Sequence, residues 1–516
     1  MARLIFGFLC LLLPALWAAP RPKLLVAITI DQFRYDYLSR FRPHYTGGLA
    51  RLLDGGAVFT NAHYEHFPTV TAVGHATFLS GAAPALSGII ANSWYDREAG
   101  RQVTSVSDDA TRLLGVAEPR SGASPRRLLV STLADELKMV HGSKTRAIGV
   151  SIKDRSAILP VGRMADAAYW FDAATGNFVS STYYFPQLPV WVEEYNRRRP
   201  ADKYLGQSWI PFDHPSARPF RQLPTEPGKA FYDGVERTPY GNQLVLDFAQ
   251  AVVEHEQLGQ RGGTDVLAVS LSSNDRVGHE VGPDAPEVRD LSIQTDRQLG
   301  QFLSYLDGKL GRQSYLVVLT ADHGVAPLPE VMQQRRMPGG RLPERAVVQA
   351  IEDALTAKYG GGVWLASKSA EMPYLNYETV RQKGLALEEV LQVAAEAVRR
   401  VPHIARVYTR SQLEKGRFGG DGIDLRVRNG FHVVRGPDLC VIVEPYWLTD
   451  GSGTSHGTPY SYDSHVPVIF FGPGVRPGRY HARVAVNDIA PTLATYFEVE
   501  TPSGATGRVL AEIFTD

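Results

Sequence analysis

The chain has 516 residues, with 54 Lys and Arg against 54 Asp and Glu, so its formal net charge is zero. No overall field points to a nucleic acid as a stable partner or to an anionic membrane. The length allows a large core, while two cysteines are too few for a disulfide framework or a zinc site built from several thiolates.

The start, MARLIFGFLCLLLPALWAAP, carries one early Arg, an apolar run interrupted by Pro14, and small residues before Pro20. It reads as a secretory signal peptide over 1–19, cut near Ala18 or Ala19, with a catalytic domain over 20–516. The run is short for a membrane span, and no later segment is long and apolar enough to be one. Cys10 falls in this leader and leaves Cys440 alone, so the mature chain is expected to form no internal disulfide. Bacterial-type export, to the periplasm or beyond it, fits these features.

Residues 23–153 alternate strand and helix. LLVAITID is a strand, TAVGHATFLSG starts a helix, and TRAIGVSIK is a further strand. RRLLVSTLADELKMV predicts an amphipathic helix, because Leu129, Thr132, Leu133 and Leu137 recur at helical spacing. From about 156 to 240 the text turns rich in Tyr, Trp, Phe and Pro with weak periodicity. This predicts an inserted segment over the sheet edge, roofing a cleft, with Tyr169, Trp170 and Tyr184 near a leaving group. Simple burial of those aromatics in the main core is an equal alternative.

The alternation returns in QLVLDFAQAVVEH (helix), DVLAVSLSS (strand), a long helix opened by Pro286, and SYLVVLTADHG (strand). Residues from about 330 to 436 predict a second insertion, a small α+β module carrying RAVVQAIEDALTAKYG and ALEEVLQVAAEAVRRV as helices. LCVIVE and HVPVIFFG resume strands, and DIAPTLATYF is a closing helix. The whole is an α/β fold.

Several candidate ligands sit at the ends of these strands. Asp31 closes LLVAITID, Asp275 and His279 follow VLAVSLSSN, and Asp322 and His323 follow YLVVLTA; His456 lies downstream in GTSHGTPY. In open α/β sheets ligands bind beyond the carboxyl ends of the strands. Carboxylate with imidazole is zinc chemistry, and two zincs side by side serve phosphoryl transfer. His465, in DSHVP, is the alternative to His456, which is preferred for its open glycine loop. Thr71 precedes a helical stretch in FPTVTAVGHATFLSG. There it is either a helix cap or a nucleophile at a helix N-terminus, where free amides favour an anion. Thr69 and Thr77 are alternatives, and His66 and His75 are read as packing or hydrogen-bonding residues.

In combination, TVTAVGHATFLSGAAPALSGIIANSWYD, the Asp-x-x-x-His, TADHG and SHGTPYSYDSHVPVIFFG resemble the alkaline phosphatase superfamily, most closely its secreted, threonine-nucleophile (phosphate-irrepressible) alkaline phosphatases. The likeness runs from about residue 23 to the C-terminus. It implies a three-layer α/β/α sandwich with a mostly parallel central sheet and inserted segments. It further implies two Zn2+ per chain, one held by Asp31, Asp322 and His323 beside the nucleophile Thr71, the other by Asp275, His279 and His456. Asn92 would donate to a phosphoryl oxygen, with Lys153 and Arg155 reaching the others. The substrates would be small phosphate monoesters, hydrolysed through a phosphothreonine intermediate, with a monomer as the favoured state. A monoester carries two charges and three free oxygens, which suits a cation, a guanidinium and an amide; a diester would want an apolar groove there. A phosphodiesterase or nucleotide pyrophosphatase is therefore the alternative enzyme, and a non-catalytic zinc- or phosphate-binding protein the alternative from another class. A sulfatase-type nucleophile motif is absent.

Overall fold

The computed structural model describes residues 21–343 and 345–515; the expected signal peptide lies outside them. Eleven strands form the main sheet: β1 (Leu24–Ile30), β2 (Ala57–Phe59), β3 (Ser107–Leu114), β4 (Ser121–Ala123), β5 (Ala147–Ser151), β6 (Ala167–Asp172), β7 (Asn177–Ser181), β8 (Asp265–Leu271), β9 (Tyr315–Thr320), β10 (Val468–Phe471) and β11 (Gly478–Tyr480). Their order is β11-β2-β10-β9-β1-β8-β5-β6-β7-β3-β4. The central five, from β9 to β6, are parallel. Antiparallel partners flank them, β10 on one side and β7 on the other.

Strands β1, β8 and β9 are buried along their whole length. Helices on both faces leave no solvated side, which is why these strands read as continuous apolar runs without alternation. Among the covering helices are Pro239–His255 and Pro286–Leu310, the latter with Pro286 in its first turn as expected. No helix among the described residues is long and apolar enough to cross a membrane.

Three readings change. The helix expected over RRLLVSTLADELKMV spans only Leu133–His141. Thr132 caps it, its hydroxyl accepting the Asp135 amide while Asp135 accepts from the Thr132 amide, and Leu129 is exposed outside it. The first part of the aromatic segment at 156–240 takes the alternative of burial: β6 and β7 extend the main sheet, and Tyr169, Phe171 and Phe178 pack edge-to-face or stacked with one another or with Phe248 in the principal core. The module expected at 330–436 runs further. Leu439–Val443 does not rejoin the main sheet but pairs antiparallel with Ile404–Thr409. Together with the helices Ala346–Tyr359 and Leu387–Arg399 it closes a separate apolar core around Trp364, Leu391 and Val441.

A carboxylate and imidazole cluster at the strand ends

Asp31 follows β1 directly, and its amide still donates to Leu271 at the end of β8. Asp322 and His323 follow β9. Asp275 and His279 lie one turn apart on the helix Ser273–Val281, just beyond β8. A long loop returns His456 to the same place. The sheet thus delivers residues distant in sequence to one edge, beyond the carboxyl ends of its central strands.

Oxygens and ring nitrogens from Asp31, Asp322 and His323 lie within 4.8 Å of one another, as do those from Asp275, His323 and His456; either group could hold a metal ion. His323 Nε2 stands 3.5 Å from both Asp31 Oδ1 and Asp322 Oδ2. His279 Nε2 lies 3.0 Å from Asp275 Oδ1, and His456 Nε2 lies 3.7 Å from the same oxygen. Each ring turns its other nitrogen to a backbone carbonyl: His279 to Thr454 at 2.7 Å, His456 to Thr69 at 2.8 Å and His323 to Gly324 at 2.9 Å. Such contacts fix ring orientation and turn Nε2 toward the carboxylates, where a cation could be held. His465 is elsewhere, its Nε2 on the Thr60 carbonyl at 3.0 Å and its ring stacked on His63.

The charge balance calls for cations. Asp31, Asp275 and Asp322 are all buried, and the cation among them is Lys153, whose Nζ sits 2.6 Å from Asp31 Oδ2 and 2.6 Å from Asp275 Oδ2. Burial and the neighbouring Asp322 push Asp31 well above the usual carboxylate range. Burial pushes Asp275 the same way, but Lys153 and His279 outweigh it and hold the group well below its ordinary value. Burial, with His323 and His279 alongside, drives His456 well below the ordinary imidazole value. Asp31 Oδ1 and Asp322 Oδ2 are buried without any hydrogen-bond partner, an expensive arrangement unless a metal ion completes it. The donor set fits such an ion.

Thr71 is the first residue of the helix Thr71–Ser80, whose N-cap is Val70 without a side-chain bond. Its hydroxyl is therefore no cap. Oγ1 lies 3.3 Å from His323 Nε2 and 3.5 Å from Lys153 Nζ. Thr69 and Thr77 are spent on the carbonyls of Thr458 and Ala82. Asn92 accepts the Ala72 amide through Oδ1 at 2.8 Å, which leaves its NH2 to donate. Arg155 Nε is buried without a partner. Thr71, Asn92, Lys153, Arg155, Asp275, His279 and His456 line one pocket of about 240 Å3.

Four contributors carry no motif. Gln32, in the left-handed region at φ 59°, donates from its amide to Asp322 at 3.1 Å and from Nε2 to Asp275 at 2.8 Å, so it ties the two carboxylates together. His75 places Nδ1 3.3 Å from Asp322 Oδ2. Arg237 and Arg276 stand at the pocket's edge, paired with Glu280 and Glu236. Gly74 is a sequence trace of this packing: a Cβ there would lie 2.1 Å from the Asp322 carbonyl, so only glycine lets the helix bring Thr71 this close.

A mixed α/β sheet with a carboxylate–imidazole cluster that could hold metal, a threonine hydroxyl, and amide and cationic groups at its strand ends has the make-up of a metal-dependent hydrolase. Residues 25–465 match the family described as type I phosphodiesterase / nucleotide pyrophosphatase, and the chain belongs to that family, within the alkaline phosphatase superfamily. A protein of Myroides odoratus named calcium-transporting ATPase is 34% identical over 95% of this chain and 94% of its own length. Alkaline phosphatase PhoV of Synechococcus elongatus is 35% identical over 96% and 93%. Alkaline phosphatase PafA of Elizabethkingia meningoseptica is 34% identical over 96% and 95%. The crystal structure of wild-type PafA covers 96% of this chain and 100% of its own, with a TM-score of 0.90 at 33% identity.

Proposed function

We propose that this chain is an exported, two-zinc alkaline phosphatase that hydrolyses phosphate monoesters through a phosphothreonine at Thr71. The chain is an alkaline phosphatase, a phosphoric monoester hydrolase, like the near-full-length relatives it resembles. The finer reading rests above all on Thr71, whose uncapped, buried hydroxyl faces His323 Nε2 and Lys153 Nζ at a helix N-terminus.

Asp31, Asp322 and His323 would hold one ion, and Asp275, His279 and His456 the other. Bound zinc supplies Lewis acidity and lowers the pKa of hydroxyl groups and water in the site. Thr71 Oγ1, its proton lost to water, attacks phosphorus in line, with the helix amides and positive helix end behind it. The bond from phosphorus to the ester oxygen breaks on the opposite side, and the alkoxide leaves and takes a proton from water as the alcohol. The Asn92 NH2 donates to one non-bridging oxygen, held in that direction by the Ala72 amide at its other end. Arg155 offers a guanidinium edge without a competing partner at Nε. Lys153 Nζ lies 3.5 Å from Thr71 Oγ1, and with Asp31 and Asp275 holding ions instead its ammonium would be available to a phosphoryl oxygen. Water then attacks phosphorus, the bond to Thr71 Oγ1 breaks, inorganic phosphate leaves and Oγ1 regains a proton, with activity rising toward alkaline pH.

The test is replacement of Thr71. Thr71→Ala should lose at least about 10³-fold in turnover, while Thr71→Ser retains measurable activity. Acid-quenched enzyme should carry phosphate on the peptide containing Thr71. Wild-type turnover by Thr71→Ala would overturn the assignment.

A further inference from the structure

The catalytic pocket continues into a second, larger recess. This cavity of about 370 Å3 shares Asn92 and His456 with the phosphate-binding pocket. It lies between the main domain and the smaller module. Phe67, Val70 and Trp94 form its wall on one side; Met372, Tyr374 and Trp447 form it on the other. The walls are fixed: Trp447 stacks on His403 with ring centroids 3.4 Å apart, and Gln102 Nε2 donates to Ser367 Oγ at 3.1 Å across the seam.

Charge separates the two compartments sharply. The phosphate pocket is lined by Lys153, Arg155, Arg237 and Arg276. The described lining of the recess holds no Lys or Arg at all, and two carboxylates, Glu371 and Asp450. In-line displacement sends the leaving oxygen away from Thr71, and Asn92 and His456 mark where the pocket stays open beyond the phosphoryl site. The rings of Phe67, Trp94, Tyr374 and Trp447 with Val70 and Met372 offer faces for a flat apolar ligand among uncharged polar groups, while the carboxylates repel an anion.

We propose that this recess receives the alcohol portion of the substrate and selects monoesters whose leaving group is aromatic or apolar and bears no further negative charge. The proposal deepens the monoesterase reading and rests on it. It also relocates leaving-group recognition: Tyr169 and Trp170 are buried in two separate cores, Tyr184 packs against the second of them, and the recess is built by Trp94, Tyr374 and Trp447 instead.

Phenyl phosphate, 2-naphthyl phosphate and a sulfonated 2-naphthyl phosphate test it on the zinc-loaded enzyme. The two unsubstituted phenols have similar acidity, so their difference reads binding of the second ring. The wild-type kcat/KM should favour 2-naphthyl over phenyl by about 10-fold from the added apolar burial, and the sulfonate should abolish that gain. Ser369→Trp, filling the recess, and Trp447→Ala, removing a wall, should each lower the naphthyl-to-phenyl ratio by about fivefold or more. 2-Naphthol should inhibit phenyl phosphate hydrolysis competitively, and more weakly in both variants. A partly unfolded variant loses both substrates alike and leaves the ratio untouched. Equal kcat/KM for all three esters, or a ratio unmoved by both variants while hydrolysis persists, would overturn the recess assignment alone. Absence of hydrolysis of every ester would overturn the monoesterase reading beneath it.

Discussion

Lys153 Nζ lies 2.6 Å from Asp275 Oδ2 and bridges that carboxylate to Asp31, so one ammonium holds together two residues proposed to serve different ions. The cluster should respond to metal and to Lys153 together. Chelation should lower the melting temperature, since an ion at 100-fold its Kd contributes roughly 2.7 kcal/mol. Lys153→Met removes the internal counter-charge from a buried pair, at a cost of about 3–5 kcal/mol. Most of that loss should appear in chelated protein and little in zinc-loaded protein, because the ions then neutralise the acids. Calorimetry of both variants with and without chelator measures the difference. Equal destabilisation in the two states would mean that Lys153 is not standing in for metal charge.

Arg155 should discriminate monoester from diester. A monoester presents a further charged oxygen that a diester replaces with a substituent, and a charge-assisted hydrogen bond to it is worth about 1.5–3 kcal/mol. Arg155→Ala should therefore lower kcat/KM for a monoester by about 10- to 100-fold and change diester turnover much less. If diester turnover exceeds monoester turnover in the unaltered enzyme, the family's phosphodiesterase activity is the right one for this chain.

The three carboxylates of the candidate site stand out in the sequence because each lies just beyond a strand made conspicuous by burial on both faces. Asp31, Asp275 and Asp322 each lie beyond a run that is apolar from end to end. Gln32 and His75 were illegible as parts of the site: a single polar side chain carries no spacing, and only the assembled sheet shows Gln32 spanning Asp322 and Asp275. Strand propensity likewise marked Leu439–Val443 correctly but not its partner, since pairing with Ile404–Thr409 is a tertiary choice. The Thr132–Asp135 capping box was readable, yet the apolar spacing through Leu129 drew the predicted helix past it.

Cys440 should be chemically silent in the folded protein. It is buried, and burial pushes its thiol up to about 12, so the thiolate is absent at neutral pH. Iodoacetamide at pH 8 should label it only on unfolding, as mass spectrometry would register. Rapid labelling of the native protein would place Cys440 outside the apolar cluster with Tyr408 and Phe431.

Asp463 should make stability fall as pH rises. Its backbone carbonyl accepts the Gly324 amide at 2.7 Å, beside His323, so it ties the loop bearing one predicted ligand to the segment after His456. Its carboxyl is buried; Oδ2 accepts from the Thr458 amide at 2.8 Å and hydroxyl at 2.6 Å, and Oδ1 has no partner. Burial pushes the group from 3.8 to about 7 despite those two bonds. Between these values the folded protein binds the proton that the unfolded chain has released, so unfolding free energy declines with pH across that window and levels off above it. The full effect is roughly 4 kcal/mol at 1.36 kcal/mol per unit. Asp463→Asn keeps the acceptor for Thr458 and cannot ionise. It should match the parent near pH 4 and melt higher at pH 8, the gap opening between about 4 and 7. Denaturant titrations of the chelated proteins across that range separate this effect from metal binding. A gap that stays constant with pH would show that the Asp463 carboxyl is already ionised in the folded protein at low pH.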